Sequence, residues 1–219
     1  MSETIAALAA AWLATSTLEC VSVLFGLAYV LLAAKESAWC WPAAIVNTGT
    51  AIALFWDATL LMESALNVFY LLIAFYGLWQ WNYGGNNKSA LSISRWPKRN
   101  HAAAGVTIVC LTLVSGNLLQ QHSNAYMPYL DSFTTWSAVI ATWMVTRKIL
   151  ENWLYWIIID AVSIYLFWSK GLLLYSALFA VYFFVAIYGY QQWLANSTKN
   201  NRKKGHEQSR FAAGSPTKV

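Results

Sequence analysis

Seven apolar runs, each near the length needed to cross a bilayer, leave this chain little choice of architecture. They cover 18–34, 38–56, 64–81, 102–119, 131–146, 153–168 and 172–193. A helix crossing a hydrocarbon core takes roughly 17–25 residues, and inside lipid each backbone N–H and C=O must be satisfied within the protein. The fifth run, rich in Thr and Ser, is only marginally long. Just 11% of the residues are charged against 58% hydrophobic, and mean hydropathy is +0.45; soluble domains carry about 25% charged residues. The expectation is an all-α integral membrane protein with seven transmembrane helices and no separate soluble domain.

Charge placement supports an odd number of spans. With the N-terminus outside, every Lys and Arg except Lys170 falls in an inner segment: 35–37, 82–101, 147–152 or the tail from 194. Positive residues mark the cytoplasmic side, so the net charge of +5 reads as topology, and a nucleic-acid partner is not expected. Residues 1–17 read as a short N-terminal interfacial segment, since no basic n-region or cleavage site makes them a signal peptide. The tail 195–219, rich in Gly, Ser, Asn and Lys, reads as a disordered basic cytoplasmic segment. Cys20, Cys40 and Cys110 lack both disulfide and ligand spacing, and His101, His122 and His206 are scattered. Neither a metal nor any other cofactor is called for.

Sliding the chain along itself by 112 residues lays 41–81 on 153–193 without a gap. Identities include Trp41/Trp153, Ser64/Ser176, Tyr70/Tyr182 and a paired Tyr-Gly-x-x-Gln-Trp ending at Trp81 and Trp193. The same shift sets Glu19 on Asp131 and Lys35 on Arg147, which brings in the first and fifth spans. Two parallel three-helix repeats joined by a linker helix follow: a bundle over 18–82, a basic loop, linker helix and outer loop over 83–130, and a second bundle over 131–194. Three is odd, so a fourth span is needed to restore orientation. In parallel repeats of this kind, which some transporters use, substrate lies near the midplane between units.

The repeats differ where a site should be. Asn47-Thr48 in one matches Ile159-Asp160 in the other, midway along the second and sixth spans. A carboxylate at that depth costs about 2.5–3.5 kcal/mol on insertion scales unless it faces a cavity or partner. Trp153, Trp156 and Asp160 recur at i, i+3 and i+7, so they share a face, and indoles present π faces suited to an aromatic cation. Asn47, by contrast, has an ordinary reading as an interhelical hydrogen bond, and Trp153 lies near enough to the span's end for an interfacial belt. Thr48, Asn67, Tyr70 and Tyr182 are further mid-depth polar candidates. Gln80 and Gln192, beside Trp81 and Trp193 at the inner ends of spans three and seven, read as interface anchors or an inner gate.

In Glu151-Asn152-Trp153-x-x-Trp156-x-x-x-Asp160, Lys170-Gly171-Leu172 and the paired Tyr-Gly-x-x-Gln-Trp, the sequence resembles the PnuC family of bacterial nicotinamide riboside transporters over residues 18–195. The resemblance implies a seven-helix, SWEET-like 3+1+3 fold in the bacterial inner membrane, a trimer, and facilitated diffusion of unphosphorylated nicotinamide riboside that intracellular phosphorylation traps. It implies substrate contacts at Trp153, Trp156 and Asp160, and less directly at Asn47 and Asn67. Related branches carry thiamine or riboflavin. Thiamine, an aromatic cation, suits the same face; riboflavin is neutral and makes less use of a carboxylate. A phosphate ester would meet no basic residue at mid-depth.

Other classes fare worse. No G-x-x-x-x-G-K-[ST] motif supplies ATP drive, which leaves alternating access without it, or proton coupling through Asp160. A seven-helix receptor would not carry this repeat. No Ser/His/Asp set, paired aspartates or H-E-x-x-H supports an enzyme.

Overall fold

The computed structural model describes residues 17–57, 61–86, 89–123 and 125–213. Among these are seven helices: α1 Thr17–Ala34, α2 Cys40–Asp57, α3 Leu61–Tyr83, α4 Lys98–His122, α5 Pro128–Thr146, α6 Asn152–Ser169 and α7 Leu173–Ala213. Each apolar run has become one helix, its ends displaced by a few residues except at the C-terminal end of α7. In place of strands, the described residues hold one isolated bridge, Ser94 to Ile149. It clips the basic loop onto the α5–α6 turn through Ser94 N to Lys148 O at 3.0 Å and Leu150 N to Ser94 O at 2.9 Å. The expected interfacial segment at 1–17 falls, but for its last residue, outside the described residues.

One departure from the sequence reading has a physical reason. The tail expected to be disordered from 195 continues as helix to Ala213. A helix already nucleated in the apolar run extends at one hydrogen bond per residue fixed, so polar residues prolong it. Among the described residues, length and hydropathy by themselves single out Thr17–Ala34, Lys98–His122 and Leu173–Lys199 as able to cross a membrane. The remaining helices are diluted by Trp, Tyr and polar groups, many of which face the interior.

Within each unit the helices pack in sequence, α1 on α2 on α3 and α5 on α6 on α7, while α4 lies against α5. The units meet through α1 on α7 and α3 on α5. Trp81 Nε1 donates to Val145 O at 2.9 Å, and Trp193 Nε1 donates to Ala33 O at 2.9 Å. Each partner of the second bond lies 112 positions from its counterpart in the first, as two-fold related surfaces require. Inside the units, Ser64 Oγ donates to Ile52 O and Ser176 Oγ to Ile164 O, again one repeat apart.

The best-buried large side chains cluster at one end of the bundle. Trp41, Trp81, Trp193 and Trp153 form a chain of edge-to-face rings with successive centroids 5.5, 5.8 and 5.5 Å apart. Glycines make this possible: a Cβ on Gly77 would sit 2.4 Å from the Trp41 ring, and one on Gly189 2.7 Å from Trp153. Small residues let membrane helices approach closely, and here they admit an indole.

Candidate functional site

A cavity of about 170 Å³ lies between the two units, against the tryptophan cluster. Gly26, Tyr29, Val30 and Ala33 of α1, Asn47 of α2 and Val145 of α5 form part of its wall. Trp153, Trp156 and Asp160 of α6, with Phe179, Tyr182 and Ala186 of α7, form the rest. Both units contribute, and the lining holds one carboxylate and no Lys, Arg or His.

Helix periodicity places these groups. On α6 the i, i+3, i+7 spacing turns Trp153, Trp156 and Asp160 to one face, and on α7 Phe179, Tyr182 and Ala186 repeat that spacing. Asp160 is only 2% exposed. The two ion pairs among the described residues are Lys148–Glu36 and Lys170–Asp131, so neither balances Asp160. Trp153 is buried within the cluster, so the belt role open to it in the sequence is set aside. Its Nε1 has no hydrogen-bond partner among the described residues. Trp156 is half-buried.

Asn47 sits opposite, held by two bonds from Nδ2, to Ser22 O at 2.7 Å and Ser22 Oγ at 3.2 Å. Its interhelical role is therefore real, and it lines the cavity as well. Gly26 keeps that corner open: a Cβ there would stand 3.0 Å from Tyr182 Oη and 3.1 Å from Asn47 Nδ2.

Of the other candidates, Tyr182 lines the cavity while Thr48, Asn67 and Tyr70 do not. Thr48 turns its hydroxyl back to Ala44 O at 2.8 Å, the common fate of Thr inside a helix. Asn67 and Tyr70 belong to α3, whose counterpart α7 supplies the wall. Phe179 and Tyr182 stand there at the matching positions. Gln80 is buried and Gln192 half-buried, and neither reaches the cavity. The sequence reading missed the α1 face entirely. Gly26, Tyr29, Val30 and Ala33 follow i, i+3, i+4, i+7, the signal that would have found it.

The family model for the nicotinamide mononucleotide transporter matches residues 16–195. The chain belongs to that family. Such a transporter family member moves a solute across a membrane and is not an enzyme. Its curated relatives include the riboflavin/roseoflavin transporter RibM of Streptomyces davaonensis, 23% identical over 83% of this chain and 86% of that one. The nicotinamide riboside transporter PnuC of Escherichia coli is 24% identical over 86% of this chain and 89% of the relative. Among solved structures, a crystal structure of the vitamin B3 transporter PnuC superposes with a TM-score of 0.66 at 20% identity, covering 90% of this chain and 89% of that one. This nicotinamide mononucleotide transporter family member therefore shares the PnuC fold, and the resemblance read from its motifs is upheld.

Proposed function

We propose that the protein carries nicotinamide riboside across the bacterial inner membrane by facilitated diffusion, alternating access by rocking one three-helix unit against the other. One observation carries the reading: Asp160, buried and outside both ion pairs, shares a cavity between the units with Trp156 and Trp153. A pyridinium seated against the indoles gains cation–π attraction of about 0.5–2 kcal/mol and supplies the charge that a buried carboxylate requires. With Nδ2 of Asn47 held by Ser22, its Oδ1 accepts from the substrate.

The same lining argues against a mononucleotide as cargo. A phosphate carries negative charge toward Asp160 and meets no cation in the wall. The charge bias of the loops supports an N-terminus outside and a C-terminus in the cytoplasm. Riboflavin is the second reading, favoured by a relative of nearly equal identity and disfavoured by the carboxylate. Counterflow in de-energised proteoliposomes tests the proposal. Labelled nicotinamide riboside accumulates against unlabelled substrate without a proton gradient; exchange that needs the gradient would replace facilitated diffusion by proton coupling.

A further inference from the structure

We propose that Glu36 and Lys148 form a latch that shuts one end of the carrier, and that passage of substrate requires the pair to part. The proposal deepens the carrier reading above and rests on it. Lys148 Nζ stands 3.0 Å from Glu36 Oε1, with the side chains only 7% and 19% exposed. Asn196 Nδ2 donates to the second carboxylate oxygen at 3.2 Å, and the ammonium lies 4.5 Å from the centroid of the Trp81 ring.

The two residues occupy the same position of the two repeats, 112 apart. A residue that touches its own counterpart must lie on the axis relating the units. Like charges there would repel, so the duplicated position holds opposite ones. The turns that carry them are also alike. Glu36 N bonds Ala33 O and Ser37 N bonds Leu32 O, just as Lys148 N bonds Val145 O and Ile149 N bonds Met144 O. This is the helix-ending turn in which glycine is usual at the left-handed position. Here Glu36 has φ 59° and Lys148 φ 49°, a conformation that L side chains rarely adopt. Two strained positions hold the very residues that pair.

Their location gives the pair its task. Ala33 and Val145 line the cavity, and their carbonyls receive the Trp193 and Trp81 bonds. Each of these bonds runs from one unit to the other, and the Glu36–Lys148 and Glu36–Asn196 contacts do the same. The other ion pair among the described residues, Lys170–Asp131 at 3.8 Å, lies at the opposite end and joins parts of the second unit only. Rocking therefore opens this end only by breaking the latch. Both charges stand on turns, where they regain water on parting, so closure is reversible. Gln80 and Gln192, the gate residues suggested by the sequence, are neighbours of this barrier.

Accessibility tests the latch without any substrate, so its failure is separable from failure of the nicotinamide riboside reading. A cysteine is placed at the cavity wall (Val145→Cys) in protein whose Cys20, Cys40 and Cys110 are replaced by Ala. A membrane-impermeant charged thiol reagent is applied to proteoliposomes from the side of the latch. Glu36→Gly and Lys148→Gly each speed labelling about tenfold or more, since breaking a buried pair costs well over the energy of a factor of ten. Folding of each variant is followed by its melting temperature, glycine's relief of the left-handed turn offsetting part of the cost of the charge left unpaired. The exchange Glu36→Lys with Lys148→Glu restores protection. Labelling at the parent rate in both glycine variants overturns the proposal. So does uninterrupted uptake by a Glu36→Cys, Lys148→Cys protein bridged with a bifunctional, reducible thiol reagent, whose bridge is expected to stop uptake until reduced.

Discussion

Asp160 and Thr48 hold the same position in the two repeats, yet only Asp160 faces the cavity, while Thr48 bonds its own helix at Ala44 O. The duplication supplies one fold twice and one site once. Trp156 diverges in the same sense, since its counterpart is Ala44, and neither Ala44 nor Thr48 lines the cavity. The charge and the indole that a cationic nucleoside needs sit together on α6, against α1 and α7.

The two indoles of that face differ in burial, and substitutions will separate them. Trp156→Ala is expected to weaken nicotinamide riboside binding by about tenfold or more, as loss of a desolvated cation–π contact does, with little change in melting temperature. Trp153→Ala removes a buried ring packed on Gly189 and is expected to cost about 3–5 kcal/mol of stability as well. Calorimetry with thermal melts of the same preparations checks both.

Gly26 limits the size of the cavity at the Asn47 and Tyr182 corner. Gly26→Ala places a methyl 3.0 Å from Tyr182 Oη and 3.1 Å from Asn47 Nδ2, tighter than ordinary contact. Affinity falls while the fold persists, because one of the neighbours is the end of a side chain bordering open space. Equal affinity in a titration would mean that substrate does not use this corner.

The two inter-unit indole bonds should prove energetically alike. Trp81→Phe and Trp193→Phe each remove one 2.9 Å bond to a buried carbonyl along with part of a ring. Each is expected to cost about 1–3 kcal/mol. Denaturation in matched detergent would show a loss at both positions, any excess at Trp81 coming from the Lys148 ammonium over its ring; no loss at one of the two positions would contradict the two-fold relation.

Overpacking offers a second view of that relation. Gly77→Ala and Gly189→Ala drive a methyl to 2.4 Å and 2.7 Å from indoles that are themselves buried, where neither ring can give way. Losses of about 1–3 kcal/mol follow, read as lowered melting temperatures for both variants.

Much of this was legible in the residues. Span-length apolar runs marked seven helices, and the 112-residue offset marked two like units, whose equivalence the structure shows in the bonds from Trp81 to Val145 and from Trp193 to Ala33. The i, i+3, i+7 spacing on α6 brought Trp153, Trp156 and Asp160 together. What escaped was which copy of each duplicated element lines the cavity: Tyr182 does and Tyr70 does not, though the sequence treats them alike. That choice depends on packing between units, to which local periodicity is blind. The α1 wall escaped because three of its four residues, Gly26, Val30 and Ala33, carry no polar side-chain atom, and Tyr29 alone marks no face. The Glu36–Lys148 pair was hidden for another reason, since neither residue is unusual until two distant turns meet.

Titration of nicotinamide riboside into purified parent protein and Asp160→Asn by calorimetry tests the central claim most directly, with riboflavin and nicotinamide mononucleotide as comparison ligands. The substitution keeps shape and removes charge. The parent is expected to bind the riboside in preference to both comparison ligands, and Asp160→Asn to bind it at least about tenfold more weakly, as loss of a buried charge partner demands. Undiminished affinity in Asp160→Asn would contradict the account.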